Sequence, residues 1–239
     1  MKRDWNPDEP EWMDRPQPVT PGLRRDLANI GELNRWFGSH KLVRRYLRQW
    51  LPPGTTCRVL DLCTGYGDIP RMMIDWGRLH NVHFSVDAAD RHPATLQIAR
   101  EKSAEYPEIR FLQDDALGFH PPEGALSPPG GQYDLVHCSL SLHHFSEEDA
   151  VRLLERSVAL SRRWVLVADL ERNRLAQLAV WLVTATLYRD PMTRHDARLS
   201  IRRAFSREEL RALARRAGWE AFRLEPFFPV RQALWLEKA

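Results

Sequence analysis

The sequence predicts an α/β protein built on a doubly wound sheet of seven strands, mostly parallel, with an antiparallel C-terminal strand. Strand-like and helix-like segments alternate through the middle of the chain, which is the pattern of a parallel sheet with helices on its faces. Two further strand-like runs near the end are close enough to pair as a hairpin. The 239 residues, 43% of them hydrophobic, suffice for one large domain.

Composition and charge exclude several classes of protein. The formal net charge of +3 is too small to indicate a nucleic-acid surface, so no nucleic-acid partner is expected. Cys57, Cys63 and Cys138 lack the spacing of metal ligands, which predicts free thiols, no metal site and a reducing compartment. We find no signal-peptide pattern and no apolar run long enough to span a membrane. These features predict a cytoplasmic protein.

The N-terminal part divides into two sections. Residues 1–21 contain five prolines among many charged side chains, which predicts a flexible leader. Residues 22–239 are expected to form a single domain. Within it, residues 22–51 carry apolar side chains at helical spacing, interrupted near Gly38 and ended by a Pro-Pro pair, which predicts two amphipathic helices.

The middle of the chain alternates between the two kinds of element. The predicted strands are 58–62, 82–88, 109–112, 133–139 and 164–169. The predicted helices are 69–78, 93–103 and 147–160. A segment rich in proline and glycine, 120–132, is interpreted as a surface insertion in the domain.

The C-terminal third begins with residues 171–205, which we interpret as a lid or substrate segment. Its apolar helix, 175–188, has three open interpretations: a buried core helix, a wall of a hydrophobic acceptor pocket, or a contact with a membrane surface. Another helix begins after Ser206, whose N-cap position is supported by Glu209 three residues later. Two strand-like runs follow, 221–224 and 231–236.

The stretch "CTGYGD" follows the first predicted strand. Asp61 ends this strand, Gly65 and Gly67 form the turn, and the next helix begins near Ile69. Such a turn would present backbone N–H groups at the carboxyl edge of the sheet, where ligands bind in this class of fold. Pro70 stands where the dinucleotide fingerprint has its third glycine, which argues against a nicotinamide cofactor. A tight turn without any ligand remains the alternative.

Acidic residues also follow the next two predicted strands. The second offers Asp87 and Asp90, and Asp90 is preferred because it leads directly into the following helix. A carboxylate at this place can accept hydrogen bonds from both hydroxyls of a ribose. After the third strand, Asp115 could accept from an adenine amino group, with Ala116 beside the ring. Each acid alone is more often a solvated turn residue, but three of them at successive strand ends favour a binding site.

Four segments, "VLDLCTGYGDIP", "DRHPATLQIAR", "FLQDDAL" and "YDLVHCSLSLHHF", carry a family resemblance in their order and spacing. They resemble the motifs of class I S-adenosylmethionine-dependent methyltransferases, in the small-molecule branch that includes ubiquinone and menaquinone biosynthesis. The resemblance covers about residues 42–169 and implies a Rossmann-like fold with S-adenosylmethionine as cofactor. One position departs from the family pattern, because Cys63 replaces the first glycine of its D-x-G-x-G-x-G motif.

The resemblance also implies which residues contact the cofactor. Asp61 and the two turn glycines would line the methionine end, Asp90 the ribose, and Asp115 with Ala116 the adenine. The full set implied is Asp61, Cys63, Gly65, Gly67, Asp90, Arg91, Asp115, Ala116 and Ser139.

Three histidines are the candidates for catalysis. Methyl transfer is an in-line displacement, so a general base is needed only if the acceptor must lose a proton, and histidine suits that task. His143 is the first choice and His144 the second, since both follow the fourth strand. Either could instead cap the next helix or fill a polar gap. His195 is expected on a loop over the same sheet edge.

The sequence therefore predicts methyl transfer from S-adenosylmethionine to a small, hydrophobic aromatic acceptor, with O-methylation favoured over C-methylation. The acceptor could be lipophilic, and a homodimer stays open. An RNA or protein methyltransferase is the runner-up, disfavoured because no "NPPY"-like tetrapeptide follows the fourth strand. A non-catalytic binding protein on the same fold is the third alternative, because of Cys63.

Overall fold

A computed structural model describes residues 2–121 and 133–238 of the chain. Its seven strands form one sheet in the order β3-β2-β1-β4-β5-β7-β6. The strands are β1 (Thr56–Leu62), β2 (His83–Asp90), β3 (Ile109–Gln113), β4 (Tyr133–Ser139), β5 (Ser161–Leu170), β6 (Phe222–Phe227) and β7 (Arg231–Glu237). The helices are α1 (Pro21–Trp36), α2 (Ser39–Trp50), α3 (Asp68–His80), α4 (Pro93–Lys102), α5 (Glu147–Leu160), α6 (Arg174–Thr186), α7 (Pro191–Arg203) and α8 (Arg207–Arg216).

The strand order reverses beside β1, which pairs in parallel with both β2 and β4. In this register Leu62, the last residue of β1, lies opposite Ala89 on one side and Cys138 on the other. The three strands therefore end at one edge of the sheet, at the topological switch point where ligands bind. β7 runs antiparallel between β5 and β6. The predicted fold class is confirmed.

Both faces of the sheet are covered by helices. One face packs against α2 and α3 through a cluster that includes Trp50, Trp76 and Trp164, all buried, with the rings of Trp50 and Trp164 stacked at 5.4 Å. The other face packs against α5 and α8. These tryptophans stabilise the core by removing large apolar surfaces from water, so they are not available to contact a ligand.

Helix α7 is the largest difference from the sequence prediction, which placed a loop there. Asp190 caps its N-terminus by accepting hydrogen bonds from the backbone N–H groups of Met192 and Thr193, and Pro191 occupies the first helical position. Both features are typical helix starts. The predicted insertion 120–132 lies largely outside the residues described.

Residues 2–20, which belong to the expected flexible leader, pack across the carboxyl edge of the sheet. They contain little regular structure, as their prolines predict, but their contacts reach distant parts of the chain. The Arg3 guanidinium donates a 2.9 Å hydrogen bond to the backbone carbonyl of His143. The backbone N–H of Trp12 donates to the Asp196 carboxylate at 2.9 Å. This segment therefore contributes side chains to the site described next.

Candidate functional site

A cavity of about 490 Å³ lies at the carboxyl edge of the sheet, within the size range of small-molecule sites. The loops after β1 to β4 form one side, and α1, α6, α7 and the N-terminal segment form the other. Of the nine cofactor-binding residues predicted from the sequence, eight line it: Asp61, Cys63, Gly65, Asp90, Arg91, Asp115, Ala116 and Ser139.

Asp90 and Gly65 connect two neighbouring loops of this wall. The backbone N–H of Gly65 donates a 2.8 Å hydrogen bond to Asp90 Oδ2, and that of His92 donates to Oδ1 at 2.9 Å. Each carboxylate oxygen keeps a second lone pair, which a ribose hydroxyl can use. Burial raises the pKa of Asp90. A Cβ at Gly65 would meet no atom within 4 Å, so the loop leaves open space for a ligand.

Two neighbouring side chains hold the Asp61 carboxylate in place. The Thr64 hydroxyl donates to Asp61 Oδ2 at 2.6 Å, and the ring Nδ1 of the fully buried His137 lies 2.5 Å from Oδ1. Sequence reasoning missed His137, although a histidine inside an apolar strand is a recognisable signal. These contacts hold the start of the glycine turn in place.

Gly67 is the predicted cofactor residue that does not line the cavity. Its φ of +71° places it in the left-handed region as the N-cap of α3, and a Cβ there would lie 3.0 Å from the Phe111 ring. Its role in the structure is thus to shape the turn. Cys63 also adopts a left-handed conformation, with φ of +56°, which explains why the resembling family has glycine at this position.

The loop after β3 and the end of β4 supply further polar groups. Asp115 Oδ1 accepts from the backbone N–H of Leu117 at 2.8 Å, which shapes the loop beside Ala116. The buried Ser139 hydroxyl has no hydrogen-bond partner among the described residues. A buried hydroxyl of this kind needs a hydrogen-bond partner, which a bound ligand can supply. The polar groups of this wall therefore fit an adenosine-containing cofactor.

His143 is buried beside this wall and held by Asp169. Its ring Nδ1 lies 2.7 Å from Asp169 Oδ1, and its backbone N–H donates to Oδ2 at 3.0 Å. A carboxylate only accepts hydrogen bonds, so the ring proton lies on Nδ1 and Nε2 keeps a free lone pair. Burial lowers the pKa of His143, which favours this neutral form. The arrangement suits a general base.

His144 forms an ion pair instead. Its Nδ1 lies 2.8 Å from Asp14 Oδ2. Burial alone would lower the pKa of His144, but the charges of Asp14 and Glu11 outweigh it and raise that pKa to about 10. Burial would likewise raise the pKa of Asp14, but the His144 cation lowers it to about 2. His144 therefore keeps its proton at neutral pH and is a poor general base.

Glu11, which the sequence interpretation left inside the flexible leader, is buried at the same place. Burial raises its pKa to about 8. Its Oε1 accepts from the Ser200 hydroxyl at 2.6 Å and lies 3.8 Å from His143 Nε2. Glu11, His143 and His144 each bring one ligand atom within 4.8 Å of the others. We interpret this cluster as proton-handling groups, because Asp14 pairs with His144 and Asp169 pairs with His143.

His195 does not join the other two histidines. It lies on α7 rather than on the expected loop, with its ring stacked on Trp12 at 4.3 Å and its Nδ1 2.7 Å from Asp196 Oδ1. It lines a separate outer groove rather than the cavity. Its neighbour Asp196 does reach the cavity. The expectation of His195 over the sheet edge is therefore not met by this geometry.

The middle of the chain is similar to known methyltransferases. Residues 59–163 match the family model described as "Methyltransferase domain". A 2-phytyl-1,4-naphtoquinone methyltransferase from Thermosynechococcus vestitus is 40% identical over 83 residues, 34% of this chain and 35% of that protein. A demethylmenaquinone methyltransferase from Thermus thermophilus is 36% identical over 112 residues, 46% of each chain. The matched parts thus span less than half of these relatives.

A solved structure extends the likeness in fold beyond this region. Human N-acetylserotonin methyltransferase in complex with SAM superposes with a TM-score of 0.64 at 16% identity, covering 92% of this chain and 56% of that one. These relatives support S-adenosylmethionine as the cofactor. The matched residues 59–163 include every predicted cofactor position as well as His143 and His144. The resemblance of this chain to class I S-adenosylmethionine-dependent methyltransferases, quinone methyltransferases among them, is confirmed.

Proposed function

We propose that this protein transfers a methyl group from S-adenosylmethionine to a hydroxyl of a small, hydrophobic aromatic acceptor. The observation that carries the proposal is the neutral, Asp169-held His143 on the wall of the same cavity as the predicted cofactor residues. A base is needed when an acceptor hydroxyl must lose a proton, so His143 suits O-methylation.

The acceptor side of the cavity supports a hydrophobic substrate. α1, the residue that follows it and α6 contribute apolar side chains to it: Ile30, Leu33, Phe37, Ala179, Val180 and Val183. Such walls suit an aromatic ring and exclude water from the reacting groups. The quinones in the names of the two curated relatives are hydrophobic ring systems of the kind that these walls suit.

S-adenosylmethionine supplies an electrophilic methyl group on a sulfonium when it is bound. The chain's own residues then have three tasks. Asp90 positions the adenosine part and the Gly65 turn the methionine part, the apolar helices align the acceptor ring, and His143 Nε2 accepts the hydroxyl proton. Asp169 stabilises the imidazolium that results, because both of its oxygens already hold His143.

The proposal is tested by incubating the full chain with S-adenosylmethionine and separate panels of phenols, quinones and long-chain resorcinols. Mass spectrometry would then reveal products heavier by one CH₂ unit. We expect a methyl ether product, whose O-methyl group is identified by its fragmentation and by NMR. A C-methyl product would contradict O-methylation. Methylation of RNA or of protein side chains would contradict the proposed class of acceptor.

Cofactor binding is tested separately. S-adenosylhomocysteine should raise the Tm of the wild type, and Asp90→Ala should abolish the shift, because binding to the folded state stabilises it. Asp75→Ala, an exposed acid on α3, is the matched control and should retain the shift. A wild type that gives no shift would leave a non-catalytic protein as the better interpretation.

A further inference from the structure

The outer face of α6 is apolar and exposed to solvent. Leu175, Leu178, Trp181 and Leu182 are 80%, 55%, 52% and 47% exposed, and their spacing places them on one side of the helix. Single exposed apolar residues are ordinary, but four on one helix face form a patch that marks an interaction surface.

Arginines surround this patch. The groove between α6 and α7 is lined by Leu178 and Trp181 together with five arginines: Arg174, Arg189, Arg194, Arg198 and Arg202. The Arg198 guanidinium lies 5.6 Å from the centre of the Trp181 ring. In the part of the chain that the structure describes, no acidic side chain lines this groove. Apolar residues with a tryptophan and flanking arginines are typical of segments that lie in a membrane interface.

The same helix also forms a wall of the cavity. Its opposite side contributes Ala179, Val180, Val183 and Thr184 to the acceptor region. The exposed patch and the cavity are therefore separated by about the width of one helix, roughly 10 Å. A partner that holds lipophilic molecules would bring them next to the cavity.

We propose that the outer face of α6 docks on an anionic bilayer surface. The helix has 13 residues, and no helix among the described residues is long and apolar enough to cross a membrane, so the contact is with the surface only. A second copy of this chain fits less well. A two-fold interface through this patch would bring the same arginines against one another, whereas anionic headgroups complement them.

Vesicle co-sedimentation of the full chain tests this proposal. We expect binding to vesicles of phosphatidylcholine with phosphatidylglycerol, weak binding to phosphatidylcholine alone, and release by salt. Leu178→Gln/Leu182→Gln should weaken binding roughly tenfold, because it removes apolar area that the interface would bury. Arg189→Gln/Arg194→Gln should weaken it roughly 30-fold, since each basic side chain contributes about 1 kcal/mol near an anionic surface and about 1.4 kcal/mol corresponds to a factor of ten.

Leu79→Gln is the matched control, because Leu79 is 82% exposed but lies on α3. It should bind the anionic vesicles as the wild type does. The proposal is overturned if the wild type does not sediment with anionic vesicles, or if Leu79→Gln weakens binding as much as the α6 variants do. A concentration-dependent dimer that the α6 variants abolish would assign the patch to a second copy. The assay measures binding alone, so its result does not depend on whether the chain transfers methyl groups.

Discussion

Asp169 holds His143 with both of its carboxylate oxygens, one on the ring Nδ1 at 2.7 Å and one on the backbone N–H at 3.0 Å. The first contact fixes the tautomer and the second fixes the position of the ring relative to β5. Both residues are buried, so water does not compete for these bonds. A histidine held in this way has little freedom to reorient, and its Nε2 lies 3.8 Å from Oε1 of Glu11, which also lines the cavity.

Asp169→Asn should therefore lower kcat by roughly 100-fold while leaving cofactor binding intact. An asparagine can offer its N–H₂ group to the ring, which permits the wrong tautomer of His143. The measurement is steady-state methyl transfer, beside the Tm shift caused by S-adenosylhomocysteine. His143→Gln should give a similar loss, and the double variant should be no slower than His143→Gln alone. Additive losses would mean that Asp169 acts independently of His143.

Asp14→Asn should destabilise the protein by about 3 kcal/mol, since it leaves the His144 side chain without its carboxylate partner in a largely buried place. The pKa of His144 should fall well below about 10, because burial then outweighs the remaining charges. Urea unfolding gives the free energy, and NMR titration of the ring protons gives the pKa. Asp8→Asn, an exposed acid on the same N-terminal segment, should change neither quantity. An unchanged His144 pKa would contradict the ion pair.

The cofactor wall could be predicted from the sequence because its residues follow strand ends at short, regular distances. Asp61 and Asp90 lie at the ends of β1 and β2, Asp115 lies just after β3, and parallel pairing brings these strand ends to one edge. The fold class could be predicted for the same reason, since the periodicity of apolar residues is local information. Local patterns thus sufficed where the site is made of consecutive loops.

The proton-handling cluster could not be predicted in this way. Glu11 and Asp14 reach His143 and His144 across more than 120 positions in the chain, through a proline-rich segment with no periodic pattern. For His195 the prediction failed in the other direction. A histidine among charged residues suggested a place in the site, but α7 directs His195 into the outer groove. Contacts of this range depend on packing, which neither composition nor spacing reveals.

Asp26 gives a prediction about pH. It is fully buried on α1 at the cavity wall, and burial together with the charges of Asp14, Asp190 and Asp196 raises its pKa from 3.8 to about 7, although Thr193 donates to it. The folded state thus binds this proton more tightly than the unfolded chain does. Between about pH 4 and pH 7, the free energy of unfolding should fall as pH rises, and the loss should persist above pH 7.

Asp26→Asn should remove this dependence and stabilise the protein at pH 8 by on the order of 2 kcal/mol, with little effect near pH 4. The measurement is urea unfolding across this range. Asp75→Asn, an exposed acid on α3, controls for the general effect of removing a negative charge. A variant that is equally stabilised at both pH values would show that the raised pKa of Asp26 is not the cause.

Cys63 allows a test of the one departure from the family's glycine pattern. Its left-handed φ of +56° costs a residue with a Cβ about 1 kcal/mol, which glycine avoids. Its thiol also interacts with Cys138 and raises the pKa of that thiol, so the sulfur and the backbone contribute separately. Cys63→Ala removes the sulfur and keeps the Cβ, whereas Cys63→Gly removes both. Cys63→Gly should therefore be about 1 kcal/mol more stable than Cys63→Ala in urea unfolding, and Cys63→Val less stable than either, because a β-branched side chain tolerates this conformation least.

The glycine variant should keep the Tm shift with S-adenosylhomocysteine, since Gly65 and Asp90 are unchanged. Equal stability of the glycine, alanine and valine variants would mean that the left-handed conformation of this residue carries no cost.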